Sequence, residues 1–255
     1  MSEDAPYYKT DLAWIHHTGF SEFATLASRG VIASLQSNGI RDGLIVDIGC
    51  GSGILARAMT NAGYDILGID ASPAMIDLAR TTAPDARFEL ASFDEATLPK
   101  CNAIIAMGEV LNYGTLARVR AFLQNAANAL TPTGLLLFDI AERGSYPAHE
   151  ERRIGGDDWS VITIKDSDGK TLTRRVLTFR QIDVATHRDE EVHILELYAR
   201  EEILAILREN GFRARVRRSY GTNRLPKGHA VYVAHLKGLI TRTVSNVDSP
   251  GKSSE

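Results

Sequence analysis

Residues 44–53, LIVDIGCGSG, pass from an apolar run that contains one acid into a loop with glycine at every second position. The helical pattern of residues 54–62 follows at once and ends at Gly63, where a helix-terminating glycine is common. A strand that breaks at glycines and turns into a helix directs backbone N–H groups and the positive helix end at one small region. Glycine lets a ligand lie against the main chain there and permits positive φ angles. This segment therefore predicts a binding site for a nucleotide-type cofactor.

Apolar runs alternate with helical periods between residues 44 and 140. Further strands are predicted at residues 65–70, 87–91, 103–107 and 135–140, and helices at residues 72–79 and 116–130, the last followed by a turn over residues 131–134. This alternation is typical of a parallel sheet that is covered by helices on both faces. We therefore predict an α/β fold with a doubly wound, mostly parallel, seven-stranded sheet.

Period-two patterns replace this alternation after Gly144. Runs over residues 159–165 and 172–182 flank a hairpin signal at residues 166–169, and a third run covers residues 191–198. A helix over residues 201–210 and strands near residues 214–220 and 230–236 then resume the α/β pattern, with Arg213, Arg215, Arg217 and Arg218 on the solvent face of a strand. The predicted organisation is an N-terminal helical segment (1–40), a cofactor-binding core (41–144 and 199–238), a small antiparallel β insertion (145–198) and a flexible tail (239–255).

Composition argues against several kinds of partner. A chain of 255 residues can bury one good core, and a net charge of -3 with no basic block gives no sign of a nucleic-acid partner. The N-terminal residues lack the basic and apolar regions of a signal peptide, and no apolar run approaches the ~18 residues of a membrane span. We expect a cytoplasmic protein, monomeric or homodimeric, that binds neither nucleic acid nor membrane and has no metal site.

Such a glycine loop can bind a dinucleotide such as NAD or another adenosine cofactor. The dinucleotide fingerprint needs a third glycine, which would fall at Ile54. Asp70 ends the second predicted strand about 20 residues after the loop, where a carboxylate can accept both ribose hydroxyls of NAD or of another adenosine ligand. The glycine spacing must therefore decide, and it makes an NAD(P)-dependent oxidoreductase the less favoured alternative.

Four segments in order resemble the class I S-adenosylmethionine-dependent methyltransferases. They are residues 46–53, 68–75, 107–113 and 130–135. The resemblance is close over residues 40–142 and holds in outline over residues 200–236. The antiparallel insertion after the fifth strand is similar to the caps that cover the substrate in small-molecule members. The resemblance implies a Rossmann-like methyltransferase fold, S-adenosyl-L-methionine as cofactor and S-adenosyl-L-homocysteine as product.

The resemblance also implies a set of cofactor contacts. The loop would pack against the methionine part of the cofactor, with Asp47 ordering the loop and Asp70 binding the ribose. Ser92 stands where the family often has an acid that bonds the adenine amine, and Asp94 is an alternative for that contact. The complete set is Asp47, Gly49, Cys50, Gly51, Gly53, Asp70, Ala71, Met75, Ser92, Phe93, Met107 and Gly108.

Methyl transfer from a sulfonium needs mainly a nucleophile held in line with the methyl carbon. A general base is optional for a neutral amine and more useful for a hydroxyl. The candidate base or orienting residues are His17, Glu109 and His193, and the candidate substrate contacts are Tyr8, Trp14, Asn112, Tyr113 and Tyr220. We predict methyl transfer to an O or N atom of a small molecule. The alternative is a member that binds the cofactor for regulation or for a non-methylating reaction such as a cyclisation.

Overall fold

A seven-stranded sheet is the centre of the computed structural model, which describes residues 7–236. Its strands are β1 (Leu44–Ile48), β2 (Asp65–Asp70), β3 (Arg87–Leu90), β4 (Cys101–Ala106), β5 (Leu130–Ala141), β10 (Phe212–Arg217) and β13 (His229–Leu236). Their order across the sheet is β10-β13-β5-β4-β1-β2-β3. Strands β1 to β5 are parallel, whereas β13 is antiparallel to both of its neighbours. The predicted mostly parallel, seven-stranded sheet is confirmed.

Six helices accompany the sheet. They are α1 (Thr10–Gly19), α2 (Ser21–Ser37), α3 (Ile54–Asn61), α4 (Pro73–Thr82), α5 (Leu116–Ala129) and α6 (Arg200–Glu209), counted within residues 7–236. The apolar sides of α5 and α6 share one buried cluster with the sheet, and those of α2 and α3 share another. Because the two clusters contain different sheet residues, alternating along the strands, helices cover both faces as a doubly wound sheet requires.

The insertion forms an antiparallel sheet of four strands, which we call the cap. It consists of β6 (His149–Gly155), β7 (Trp159–Ser167), β8 (Thr171–Ile182) and β9 (Ala185–Glu196), paired in that order. The sequence predicted only three of these strands, since β6 reads HEERRIG and shows no apolar alternation. Strand β9 also begins earlier than predicted, because a two-residue turn with Asp183 at a φ of 52° joins it to β8.

Two local predictions in the core were wrong. The turn predicted over residues 131–134 lies inside β5, where it interrupts the pairing with β4 between the single pair Cys101–Leu130 and the regular pairing that starts at Ala103–Leu135. The strand predicted over residues 214–220 divides into β10 and the short β11 (Ser219–Tyr220), which pairs with β12 (Asn223–Arg224). Along β10, Arg213, Arg215 and Arg217 are exposed, as predicted for a solvent-facing edge.

The N-terminal segment and the cap pack against each other and against the core. Leu12 and Ile15 of α1 share a buried cluster with Val161 and Val176 of the cap, and Leu195 of the cap packs with residues at the end of β5. None of the helices in residues 7–236 has the length and apolar character needed to cross a membrane. The predicted tail, residues 239–255, lies outside the described residues.

Candidate functional site

The glycine loop leaves one side of its backbone open. Gly49, Gly51 and Gly53 all have left-handed φ angles, of 64°, 52° and 78°. A Cβ atom on Gly49 would come within 2.4 Å of Val110, and one on Gly53 within 2.9 Å of the Cα of Ala79, so packing excludes a side chain there. A Cβ on Gly51 would meet nothing within 4 Å. The backbone at Gly51 therefore borders open space, which a ligand lying against the loop can fill.

Gly108 borders the same edge of the sheet from the neighbouring strand. It follows β4, has a φ of 95° and also has nothing within 4 Å of an added Cβ. The carboxylate of Asp139 at the end of β5 fixes this turn, since it accepts hydrogen bonds from the N–H groups of Gly108 (2.8 Å) and Glu109 (3.1 Å). We call the edge of the sheet around Gly51 and Gly108, where the backbone borders open space, the cradle. It lies at the carboxyl ends of parallel strands, where ligands bind in open α/β sheets.

Asp70 connects the end of β2 to the glycine loop. One carboxylate oxygen accepts a hydrogen bond from the N–H of Gly51 (2.8 Å), and the other accepts one from the N–H of Ser72 (2.9 Å). Burial raises the pKa of Asp70, and the backbone hydrogen bonds oppose that rise. Each oxygen keeps a further lone pair, so this carboxylate can accept two hydroxyl hydrogens beside the cradle.

Asp47 holds a buried carboxyl beneath the loop. Its side chain is 2% exposed, and Oδ2 has no hydrogen-bond partner among the described residues. Burial, and then the charge of Asp70, raise the pKa of Asp47 to about 8. A buried oxygen without a partner is uncommon in proteins. Because a nearby cation would favour the ionised carboxylate, Asp47 fits a positively charged ligand in the cradle.

The residues before α1 form a strap between cap and core. The N–H groups of Tyr8 and Lys9 donate to the two carboxylate oxygens of Glu191 on β9, at 2.7 and 2.8 Å. The carbonyl oxygen of Tyr8 accepts a hydrogen bond of 2.7 Å from the hydroxyl of Ser72. Tyr8 has a φ of 57°, which is rare for a bulky residue. The strap therefore places Tyr8 beside Ser72 and Asp70, at the border of the cradle.

Several of the predicted site residues meet under this strap. The rings of Tyr8 and Tyr113 both lie beside His193, with centroid distances of 5.2 and 5.7 Å. The Tyr113 hydroxyl lies 3.0 Å from Nδ1 of His193, whose Nε2 lies 2.9 Å from Glu191. His16 packs its ring edge-on to Tyr8, and burial, His17 and Arg174 lower the pKa of His16 to about 4. The imidazole of His16 is therefore neutral near pH 7.

Glu109 lies in a second cluster, in which three side chains bind its carboxylate. Its carboxylate accepts hydrogen bonds from Nε2 of His229 (2.6 Å), the hydroxyl of Tyr146 (2.7 Å) and Arg174 (2.9 Å). Burial alone would raise the pKa of Glu109, but Arg174 and His229 hold it well below its usual range. Burial alone would lower the pKa of His229, but its hydrogen bond to Glu109 raises it. A carboxylate held in its ionised form accepts a proton poorly, so the geometry favours the orienting role of Glu109 over the base.

Three other predicted residues make structural contacts. The side-chain amide of Asn112 is buried and bonds to the backbone of Ala141 and Glu196. The Tyr220 hydroxyl donates to Asp139 at 2.5 Å and so supports the turn at Gly108. Trp14 lies under the guanidinium of Arg180 at 3.8 Å, in the cluster between α1 and the cap. Asn112 and Tyr220 thus use their polar groups within the fold, and Trp14 uses its ring; the substrate contact predicted for each of the three stays a prediction.

His17, Cys50 and Met107 lie on or beside the cradle. Nδ1 of His17 lies 2.8 Å from the Ser52 hydroxyl in the glycine loop. The thiol of Cys50 is buried, which raises its pKa well above the usual value and keeps it protonated. Met107 is half-buried and packs against the cluster of α2 and α3. These three residues stay candidates on position alone.

The predicted adenine contacts are only partly available. Met75 is 2% exposed, and its N–H donates to the Ser72 hydroxyl. Phe93 packs edge-on against Phe122 in the core. The alternative acid, Asp94, is bound by the Ser92 hydroxyl and by the guanidinium of Arg118, which hold its pKa below the usual range. Ala71 is exposed beside Asp70. The predicted cofactor residues thus gather around one edge, although Phe93 and Asp94 have core and ion-pair partners.

Three site residues were not identified from the sequence, namely Asp139, Tyr146 and Glu191, whereas Arg174 and His229 were considered only as possible substrate contacts. An acid that ends the buried strand β5, and the alternation of Glu191 with His193 on β9, were readable signals. Nothing in the sequence pairs Glu109 with Arg174 and His229, which lie 65 and 120 residues away. In residues 7–236, no group of three or more His, Cys, Asp or Glu side chains is arranged to hold a metal ion.

Comparison with known sequences gives one family for the glycine loop. Residues 45–134 match the sequence profile of the family described as "Methyltransferase domain". A ubiquinone biosynthesis O-methyltransferase of Cereibacter sphaeroides is 29% identical over 145 residues, 54% of this chain and 55% of that protein. A trans-aconitate 2-methyltransferase of Sinorhizobium medicae is 28% identical over 142 residues, 54% of this chain and 54% of that protein. The chain spans about half the length of the curated relatives it matches.

Solved structures match nearly the whole chain. An S-adenosylmethionine-dependent methyltransferase from Clostridium acetobutylicum covers 89% of this chain and 98% of its own, with a TM-score of 0.77 at 17% identity. DesVI from Streptomyces venezuelae covers 90% and 100%, with a TM-score of 0.76 at 18% identity. The sugar N-methyltransferase KedS8 from Streptoalloteichus covers 88% and 92%, with a TM-score of 0.73 at 17% identity. At these identities the likeness shows the fold, and it confirms the fold that the four motifs implied.

Proposed function

We propose that this chain, which carries a methyltransferase domain in a class I fold, transfers a methyl group from S-adenosyl-L-methionine to an oxygen or nitrogen atom of a small molecule. The observation that carries the proposal is the cradle, which Gly51 and Gly108 leave open beside the Asp70 carboxylate. The names of the relatives, O-methyltransferases in sequence and N-methyltransferases in structure, support the reaction type. The cytoplasmic location and the monomeric or homodimeric state stay predictions.

Named residues would hold the cofactor in this cradle. The backbone at Gly49–Gly53 borders the space for its methionine part, and the Asp70 carboxylate can accept the ribose hydroxyls. Asp47 fits its positive charge. When bound, the cofactor supplies an already activated methyl group, so the protein has to orient the acceptor and exclude water. We assign both purposes to the cap and to the strap, which joins Glu191 of the cap to Ser72 beside Asp70.

Asp47 predicts that cofactor binding releases a proton. With a pKa of about 8, its carboxyl is mostly protonated near pH 7 in the free protein. The positive charge of S-adenosyl-L-methionine favours the ionised form and lowers the pKa, so a proton leaves on binding. Titration calorimetry in two buffers of different ionisation enthalpy measures this release, which we expect near pH 7 and expect to fall toward pH 9. Asp47→Asn should remove it, and equal proton release in the two proteins would contradict the assignment.

Gly51→Ala should weaken cofactor binding by about tenfold or more, because the methyl group projects into the space reserved for the ligand. Gly169→Ala is a matched control, since Gly169 has a φ of 88° and open surroundings but lies in the turn between β7 and β8. Each variant should lose about 1–2 kcal/mol of unfolding free energy from left-handed strain. Urea unfolding and calorimetry with S-adenosyl-L-homocysteine separate the two effects. Equal binding by the two variants would contradict a ligand at Gly51.

Formation of S-adenosyl-L-homocysteine tests the function directly. The protein is incubated with S-adenosyl-L-methionine that carries a radioactive methyl group and with a broad panel of small hydroxyl and amino compounds. We expect transfer of the label to at least one acceptor, with product formation that depends on that acceptor. Cofactor binding without transfer across the panel would instead favour the regulatory or non-methylating alternative.

A further inference from the structure

A carboxylate, an imidazole and a phenol stand in line between the cap and the core. They belong to Glu191, His193 and Tyr113, and the two distances that join them are 2.9 and 3.0 Å. Glu191 and His193 are 6% and 1% exposed. Burying three polar groups in one chain of hydrogen bonds is costly unless each has a partner. The arrangement is therefore a specific feature of the contact between the cap and the core.

The contacts define the direction in which a proton can move. The Glu191 carboxylate already accepts the N–H groups of Tyr8 and Lys9, so it acts as an acceptor toward His193 as well. Nε2 of a neutral His193 must then carry the hydrogen that points to Glu191, which leaves Nδ1 as a bare acceptor. The Tyr113 hydroxyl faces this bare nitrogen. The phenol can thus pass its proton to the imidazole, and the carboxylate stabilises the imidazolium that forms.

The outer end of this line, Tyr113, follows closely in the chain on the turn at Gly108. Tyr113 closes the short 3₁₀ turn Val110–Tyr113, which begins directly after Gly108 and Glu109, and its ring is only partly buried. Tyr113 and Tyr8 both pack against His193, and the carbonyl oxygen of Tyr8 accepts a hydrogen bond from Ser72 next to Asp70. We therefore take Tyr113 as the group that meets a proton leaving an acceptor in the cradle.

We propose that Tyr113, His193 and Glu191 form a proton relay, and that the methyl acceptor is accordingly a hydroxyl group rather than an amine. The inference rests on the proposed function. The acceptor oxygen attacks the methyl carbon while the carbon–sulfur bond breaks, and the sulfur keeps that electron pair as S-adenosyl-L-homocysteine. The hydroxyl proton passes to Tyr113 as the proton of Tyr113 passes to Nδ1 of His193, and it later leaves to water. A neutral amine attacks with its free lone pair and needs no such acceptor during the attack.

The other titratable groups nearby are less suited to this task. Glu109 is held ionised by Arg174 and His229, and the neutral His16 would have to bind a proton in an apolar setting that disfavours it. His193 alone has a carboxylate against one nitrogen and a phenol against the other. Further groups face it from every packed element: Tyr7 and Tyr8 of the strap, Tyr113 of the 3₁₀ turn, Arg174 opposite on β8 and Glu191 on its own strand.

Nitrogen-15 NMR of the histidines tests the relay without knowledge of the acceptor. The full-length protein is labelled at histidine, bound to S-adenosyl-L-homocysteine and measured near pH 8, with His193→Gln used to assign the signals. We expect a neutral His193 with its hydrogen on Nε2 and a hydrogen-bonded, unprotonated Nδ1, whose signal moves in Tyr113→Phe. A hydrogen on Nδ1, or a signal that Tyr113→Phe does not move, would overturn the relay. Failure to bind S-adenosyl-L-homocysteine would instead count against the proposed function.

Matched acceptor pairs test the acceptor class. The probes are phenol with aniline and benzyl alcohol with benzylamine, each with radioactive S-adenosyl-L-methionine. We expect label on the hydroxyl member, and a kcat about 100-fold or more lower in His193→Gln near pH 7, with the deficit shrinking as pH rises. Binding of S-adenosyl-L-homocysteine should stay unchanged. Label on the amine alone, or a wild-type kcat in His193→Gln, would overturn the proposal.

Glu191 is a positioning residue in this scheme, and it has a matched control beside it. Glu191→Gln should lower kcat with little change in KM and move the acidic limb of the pH profile to lower pH, because the imidazolium loses its counter-charge. Glu190→Gln changes the adjacent, exposed carboxylate on the same strand and should leave the profile as in the wild type. Identical pH profiles for the two variants would show that Glu191 only supports the strap.

Discussion

Asp70→Ala is expected to weaken the binding of S-adenosyl-L-homocysteine by about 100-fold or more. The carboxylate holds the N–H groups of Gly51 and Ser72 and keeps lone pairs for the ribose hydroxyls. A hydrogen bond to a charged group contributes about 1.5–3 kcal/mol, and about 1.4 kcal/mol corresponds to a tenfold change in affinity. Losing two such bonds to the ligand therefore weakens its affinity by at least two orders of magnitude. Titration calorimetry measures this affinity directly.

Asp77→Ala is the control for this variant. Asp77 lies on α4, close to Asp70 in sequence, but its exposed carboxylate only pairs with Arg80 at 3.5 Å. We expect wild-type affinity for this control, since a surface pair of this kind contributes little. Asp70→Ala with an affinity within about threefold of the wild type would contradict the assignment of Asp70 to the ribose.

Glu109→Gln is expected to lower the free energy of unfolding by about 3–5 kcal/mol near pH 7. The substitution keeps the size of the side chain but leaves the guanidinium of Arg174 and the imidazole of His229 without their negative partner. These side chains are 16% and 4% exposed, so water compensates them poorly. Urea unfolding measures the loss. Glu201→Gln changes an exposed glutamate in the first turn of α6 and should change stability little. A comparable loss of unfolding free energy in both variants would contradict the stabilising role of the cluster around Glu109.

The pH dependence of stability follows from the same cluster. The folded-state pKa of Glu109 lies below its unfolded value, so its contribution is present above the unfolded pKa and is lost as pH falls through the acid range. The folded-state pKa of His229 is raised, so its contribution is present below 6.5, the unfolded value, and is lost as pH rises through the folded pKa. Wild-type stability should decline on both sides, and Glu109→Gln should flatten both declines. A Glu109→Gln variant whose stability declines with pH as in the wild type would contradict the assignment of these declines to Glu109 and His229.

The parts of the fold that the sequence predicts are those coded by local pattern. The alternate glycines, the apolar strands around them and the proline that follows Ser72 are each readable within a few residues. Strand β6 was missed because its charged residues carry no alternation. It is held by backbone pairing to β7, which a strand of any composition can make.

The candidate site is less predictable, because it depends on which polar groups already have partners. Asn112 follows β4 closely in the chain. Nothing in the neighbouring sequence reveals that its side-chain amide is hydrogen-bonded to the backbone of β5 and β9. Glu109 was identified by position, whereas the partners that hold it ionised come from the cap and from β13. His193 was identified as a candidate base, but the relay proposed for it depends on contacts with Tyr113 and Glu191, the latter bound by the strap.

Calorimetric titration with S-adenosyl-L-methionine and, separately, with NADH tests the identity of the cofactor most directly. The glycine spacing, the open backbone at Gly51 and the unpartnered carboxyl oxygen of Asp47 all favour a compact, positively charged adenosine ligand. We expect S-adenosyl-L-methionine to bind with one-to-one stoichiometry at micromolar concentration and NADH to give no saturable heat. Saturable binding of NADH, with none of S-adenosyl-L-methionine at millimolar concentration, would contradict the cofactor assignment and the methyl transfer that depends on it.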